Sequence, residues 1–308
     1  MHPISPPRRR STPLACVTAF LLIVAPAPAA AGDLVLHAAQ GATVEAVING
    51  VPLRLKVEFD LLPGITLNSD AAARAGLIRT GGWSERIGPI QLRGHKTQAQ
   101  LMLAGAPAST EIRWRDNPAA IGADGAVSVY SLPFDSVTVE RGAARPGERE
   151  IVFPTRLHEN HGIHYRLRVG KRRIAIRFSL TRPRTTAPAA AAALVAAQQG
   201  GLVGEERGVE TISLGVDRPV RPLRLDRPLP IGPFAIPMLM VRTADFRGEH
   251  QLAWEEQVGA NGEIIVTGAV ASQEALYRIT LGLDVLGRCS AATYRRSSGE
   301  LRLRCAQD

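Results

Sequence analysis

The sequence predicts a mainly β protein of two similar units in tandem, with only a few short helices. Three observations lead there. Apolar and polar residues alternate in paired runs, one order of landmarks occurs twice, and a last alternating pair closes the chain. Alternation with a period of two is the signature of half-buried strands.

The first unit opens with Val44-Glu45-Ala46-Val47-Ile48, the turn Asn49-Gly50, and the return run Leu53, Leu55, Val57, Phe59. An Asn-Gly pair between alternating runs is a strong hairpin signal. Pro63-Gly64 breaks the chain, and a short Ala-rich helix over Asp70 to Ala75 closes at Gly76-Leu77. The order then recurs. Tyr165 to Val169 leads into Gly170-Lys171, then Ile174, Ile176 and Phe178 alternate, and a helical Ala189 to Ala197 ends at Gly200-Gly201-Leu202.

Ile87-Gly88-Pro89-Ile90 and Ile231-Gly232-Pro233-Phe234 look like a further shared landmark. Gly88 and Gly232 lie farther apart than Phe59 and Phe178, so the second unit carries extra residues. Most fall in the Arg- and Pro-dense stretch from Val203 to Pro230, which reads as a long loop. The polar, Gly- and Pro-broken run from Arg141 to Glu148 suits a linker. The expected divisions are therefore 1–31, 32–150 and 151–308.

Residues 1–31 have the layout of a secretory signal peptide: Arg8 to Arg10, an apolar run from Leu14 to Val24, then small residues from Ala27 to Gly32. The run is shorter than the roughly 20 residues of a spanning helix, and no later segment is apolar enough to span a bilayer. Cleavage would leave a periplasmic or secreted chain and lower the net charge from +9 to +6, because the segment holds three arginines and no acids. In an oxidising compartment Cys289 and Cys305 are expected to pair, across a hairpin of Thr293-Tyr294, the turn Ser297-Ser298-Gly299, and Leu301 and Leu303. Two separate buried thiols are the alternative.

The basic charge is nearly all arginine, since Lys56, Lys96 and Lys171 are the only lysines, and only 5% of residues are aromatic. Scattered arginines without interleaved aromatics argue for a solvated surface and against nucleic-acid binding. His158, His161 and His164 recur every third residue near Glu159. Extended chain at that spacing would splay the rings apart, so they read as a solvated linker and no metal site is expected. No phosphate loop, zinc-finger spacing or nucleophile elbow is present, and no cofactor is expected.

The order of hairpin, turn, short helix ending in Gly-Leu, and a late Leu281-Gly282-Leu283-Asp284-Val285-Leu286 resembles the retropepsin-like aspartic peptidases, over most of residues 40–305. Ala123 to Ser128 with Ser136 to Val139 is similar to a looser copy of that late element in the first unit. The resemblance implies two retropepsin-like (acid-protease) β-barrel lobes in a pepsin-like pseudo-twofold arrangement, a monomer with internal symmetry, and a cleft between the lobes. It also implies one catalytic aspartate per lobe, each in an Asp-Thr/Ser-Gly turn, sharing a proton because two close carboxylates do not readily both ionise.

This chain departs from that pattern. Phe59 stands where the family has its first aspartate, with Asp60 one residue later and Leu61-Leu62 after it. The second unit has Phe178-Ser179-Leu180-Thr181-Arg182, with no acid. Asp284 falls in an element that the family uses structurally. The expectation is therefore a degenerate peptidase fold that binds an extended peptide or protein segment in the cleft, with Phe59, Leu61, Phe178, Ser179, Gly88 and Gly232 lining it or its covering hairpins. Two alternatives stay open: a working aspartic endopeptidase that uses Asp60, and a structural protein of envelope assembly.

Overall fold

The computed structural model describes residues 32–38, 42–87, 90–115, 118–243 and 277–306. Residues 1–31, expected to be a signal peptide, and Gly88 lie outside the described residues. The fold is mainly β, with few helices.

In the first half, the strands are β1 (Asp33–His37), β2 (Thr43–Ile48), β3 (Val51–Glu58), β4 (Ile65–Asn68), β5 (Gly81–Ile87), β6 (Ile90–Leu103), β7 (Ala106–Arg115), β8 (Gly125–Ser128) and β9 (Ser136–Glu140), with helix α1 (Ser69–Arg74). Strands β2-β3-β8-β4-β7-β6 form a ring that Ala46 and Val47 close against Leu103 and Met102 of β6. The alternation of Leu53, Leu55 and Val57 with Arg54, Lys56 and Glu58 puts the apolar side inside this barrel.

The second half follows with β10 (Arg149–His158), β11 (Gly162–Val169), β12 (Arg172–Phe178), β13 (Thr186–Pro188), β14 (Leu202–Val203), β15 (Gly208–Ser213), β16 (Val216–Ile231), β17 (Phe234–Arg242), β18 (Arg278–Leu281), β19 (Cys289–Arg295) and β20 (Glu300–Cys305). Its helices are α2 (Ala189–Gln199) and α3 (Leu283–Leu286). Strands β11-β12-β18-β13-β17-β16 repeat the order of the first ring, with the same sequence of antiparallel, parallel, antiparallel, parallel and antiparallel pairings. In the first ring those are the pairings of β2 with β3, β3 with β8, β8 with β4, β4 with β7, and β7 with β6. A hairpin strand extends each set, β5 on β6 and β15 on β16, and among the described residues no pairing of β16 with β11 closes the second set into a ring.

The repeat begins at two tight turns that suit the twist of their hairpins. Asn49 and Gly50 both adopt positive φ, 51° and 79°, as a type I′ turn needs. Gly170 supplies the single positive φ, 56°, of the second turn. Counted from these turns, Phe59 corresponds to Leu180, and Phe178 to Val57. The equivalence drawn from sequence, Phe59 with Phe178, is two residues out of step. Ser128 and Gly282, which begin the short helical turns after β8 and β18, occupy matching places and agree with the revised count.

Two further expectations need correction. The Val203 to Pro230 stretch is not a loop but β14, β15 and β16. Proline lacks an N–H yet keeps its acceptor, and here Pro219 O accepts from Thr243 N at 3.1 Å and Pro222 O from Gly204 N at 2.7 Å. A register shift between Arg224 and Leu229 absorbs the rest. Second, the two Gly-Pro landmarks are not equivalent. Gly88-Pro89 falls between β5 and β6, whereas Gly232-Pro233 joins β16 to β17, whose counterpart is the Ala104-Gly105 turn between β6 and β7.

A five-stranded sheet, β1-β9-β19-β20-β10, joins the two halves and continues through β10 into β11. Strand β10 runs through the expected division at residue 150. One face of this sheet buries Val137, Val139, Phe153, Ala292, Tyr294, Leu301 and Leu303 in the main core. Its other face carries ion pairs, including Arg302 with Glu150 and Glu300, so part of the arginine excess is spent on a solvated sheet surface. Cys289 and Cys305 face each other across β19 and β20 and are bonded. Among the described residues no helix is long and apolar enough to cross a membrane.

Candidate functional site

The two halves meet where their second hairpin strands, β3 and β12, end. At the end of β3, alternation sends Phe59 inward, where it is 3% exposed, and turns Glu58 and Asp60 outward to the seam. At the end of β12, Phe178 and Leu180 go inward while Ser179 and Thr181 face the seam. Phe59 and Phe178 therefore belong to the core and not to a cleft. Phe178 packs on Phe153 with ring centroids 5.0 Å apart.

Asp60 and Thr181 occupy matching positions, but they do not meet as a catalytic pair would. Asp60 Oδ2 accepts two hydrogen-bonded contacts from one guanidinium of the other half, Arg182 Nε at 2.8 Å and Nη2 at 2.7 Å, and Arg177 Nη2 stands 4.0 Å away. Asp60 and Arg177 are both buried. Burial alone would raise the Asp60 carboxyl, but Arg182 and Arg177 outweigh it and hold the group below the usual carboxylate range. A carboxylate so paired is a poor base.

Thr181 turns instead to Glu58, donating to its Oε2 at 2.9 Å, and lies 3.3 Å from Ser179 Oγ. Burial first, and the negative charge of Asp60 second, push the Glu58 carboxyl up to about 7, against the opposing pull of Thr181, Arg182 and Lys56. The seam thus holds two interacting carboxyls of opposite character, both supplied by the first half. No hydrogen bond joins them among the described residues.

The face of the second half opposite Asp60 is rich in guanidinium. Arg278 pairs across the sheet with Ala175, two residues before Arg177 on the same side of β12. Burial, and then the neighbouring Arg177, Arg242 and Arg182, lower the Arg278 pKa well below its usual range, with Glu85 opposing. The Nε atoms of Arg177 and Arg115 are buried with no hydrogen-bond partner among the described residues.

The three histidines lie beside this face and correct the expected splayed arrangement. His158 pairs with Gly162 across the turn from β10 to β11, which folds the rings onto one another with centroids 5.0, 5.4 and 6.3 Å apart. The turn packs on the first half, since a Cβ at Gly162 would lie 3.0 Å from Leu61 O. Burial first, then Arg278, pushes the His161 imidazole down to about 4, and burial also lowers His164. His158 Nδ1 accepts the Asn160 N–H at 3.1 Å, so its proton sits on Nε2 in the neutral ring, and no group of three among the described residues has metal-holding geometry.

Hairpin tips cover the seam. Ile87 and Leu92 of the first half pack with Ile212, Leu214 and Val216 of the second, with Leu61, Trp83 and Ile90 against them. Arg115 Nη2 donates to Leu214 O and pins the second tip to the first barrel. Beneath lies a cavity of about 10 Å³ lined by Asp60, Leu61, Trp83, Glu85, Arg177 and Leu214, room for about one water. Gly232 has no part in this cover; a Cβ there would lie 2.9 Å from the Phe153 ring, at the turn between β16 and β17. A surface depression of about 680 Å³ lies on the outside of the first barrel, where Asp124 already accepts from Arg54 N and pairs with Arg74.

Asp284 accepts from Thr185 N and Thr185 Oγ1, each at 2.8 Å, and so ties α3 to β13. Asp60, Leu61 and Ser179, named from the sequence, lie at this seam, whereas Glu58, Arg177, Arg182 and Arg278 were not singled out. The spacing Glu58-Phe59-Asp60 held a usable signal, because alternate residues on a strand share a side. No family model matches the chain, and no curated protein shows significant similarity to it.

Proposed function

We propose that this chain is an exported protein of two retropepsin-like lobes, without peptidase activity, that binds an extended peptide or protein segment between them. The observation that carries this reading is the state of the two matching seam positions: Thr181 stands at one, and Asp60 at the other is already bound by Arg182. Hydrolysis of the aspartic type needs two carboxyls that share a proton, and a threonine at one matching position with an arginine-bound carboxylate at the other supports a reading without it. The duplicated strand order and the facing hairpins β5–β6 and β15–β16 support the two-lobed part.

Binding requires the hairpin tips to part, because about 10 Å³ under them does not admit a peptide strand. The small cluster that holds the tips, five buried residues apart from the main core, suits such opening. Main-chain hydrogen bonds to the freed strands then provide affinity. Mass spectrometry of the purified protein tests this: peptides retained in about equimolar amount support it, and a stoichiometric folded partner without peptide favours an assembly role instead.

One observation favours the rival reading of a working peptidase. Glu58, near 7 beside an ionised Asp60, is a carboxyl able to give or take a proton at neutral pH. Peptide cleavage by the unsubstituted chain, lost in both Glu58→Gln and Asp60→Asn, would favour this rival.

A further inference from the structure

We propose that the seam-facing surface of the second half's sheet is an oxyanion site, in which Arg278, Arg177 and His161 hold a carboxylate of the bound segment. The inference rests on the peptide-binding reading and adds to it the chemistry of the anchoring group. Three groups with an unfilled bonding position lie on this side of the seam, one of which, Arg177, also keeps its Nη2 4.0 Å from Asp60 Oδ2. Arg278 makes no ion pair or hydrogen bond among the described residues, and its position beside Ala175 puts it on the Arg177 side of the sheet. Arg177 is 5% exposed and its Nε has no partner among the described residues. His161 Nδ1 is buried without a partner, and its ring lies in the field of Arg278 and Arg177.

The acids facing this surface do not cancel it. Asp60 accepts from Arg182, with Arg177 at 4.0 Å, Glu58 is raised to about 7 by burial first and bonded to Thr181, and Glu85 acts on both Arg177 and Arg278 without forming an ion pair with either among the described residues. Guanidiniums held together against their mutual repulsion and against burial are stabilised by an anion, and a planar fork matches a carboxylate or phosphate in two-point geometry. The same field disfavours a metal cation at the histidines.

The test uses the full chain with inorganic phosphate and acetate as probes, exchanged for chloride at constant ionic strength. Calorimetry is expected to show phosphate binding that weakens at least tenfold in Arg278→Gln and less in Arg278→Lys. Histidine NMR is expected to show the His161 titration moving upward when phosphate is added to the unsubstituted protein. No binding at millimolar phosphate, binding unchanged in Arg278→Gln, or an unmoved His161 each overturns the site. The histidine measurement decides even if Arg278→Gln does not fold. A peptide with a free C-terminus and its amide then separate a terminal from a side-chain carboxylate. If phosphate binds through Arg278 while neither peptide binds, the oxyanion site stands and the peptide reading falls.

Discussion

Replacing Asp60 with Asn leaves the shape of the seam almost unchanged but removes the charge that two guanidiniums of the other half depend on. Asp60 is 7% exposed at its side chain, Arg177 6% and Arg182 13%, so water cannot stand in for the lost carboxylate. Removing one partner of a buried ion pair costs about 3–5 kcal/mol, most of it the stranded charge. Arg177 already lacks a partner at Nε and has cationic neighbours, which places the loss towards the upper end. Urea unfolding measures it: with a slope of about 3 kcal/mol per molar, the midpoint should fall by about 1 M or more. Adding Arg182→Gln should recover part of the loss, because the double variant strands one charge fewer. A midpoint lowered by less than about 0.3 M would show that the pair contributes little, and the account of the seam as an ion-paired joint would fail.

The other expectations follow from the same structure. The Glu58 carboxyl is raised in the fold from its usual 4.5 to about 7, so its contribution is full below pH 4.5 and is lost as pH rises through 7. Glu58→Gln should therefore raise the melting temperature at pH 8 and leave it nearly unchanged at pH 4. The shift itself corresponds to about 3 kcal/mol, reduced to about 1–2 kcal/mol by the water that reaches this half-buried group, and calorimetry across that range reads it. Cys305→Ser opens a loop spanning 16 residues and should cost about 3 kcal/mol under oxidising conditions, with no further loss on adding reductant. Gly282→Ala should destabilise by about 3 kcal/mol, because a Cβ there would lie 2.5–2.6 Å from the Arg184 backbone; equal unfolding midpoints would contradict the packing of α3. Leu214→Asp should loosen the hairpin tips and speed amide exchange in β15 while the barrel strands stay protected.

Much of the strand framework was legible in the sequence because it is written locally. Val44 to Phe59 and Tyr165 to Phe178 alternate around turns that only certain residues permit, and α1 and α2 are Ala-rich runs that end in Gly. Strand β16 was not legible, since its prolines argue against a strand when read one at a time and are accommodated only by a bulge and by carbonyl acceptors. The Gly-Pro pairs misled because a Gly-led two-residue turn serves any hairpin, so Gly232 resembled Gly88 without being its counterpart. The seam itself is non-local: Asp60 and Arg182 are 122 residues apart, and nothing around Arg278 announces that it faces Arg177. The histidine spacing was read as extended chain, whereas a tight turn after His158 gathers the rings.

Whether Asp60 is a joint or a catalyst is tested most directly by peptide cleavage. A mixed peptide library is incubated with the unsubstituted chain, Asp60→Asn and Glu58→Gln from pH 3 to pH 7, and products are read by mass spectrometry with and without pepstatin. The expected result is no turnover by any of the three at any pH. Pepstatin-sensitive cleavage by the unsubstituted chain that disappears in Asp60→Asn would contradict the reading of a seam whose carboxylate is already spent on arginine.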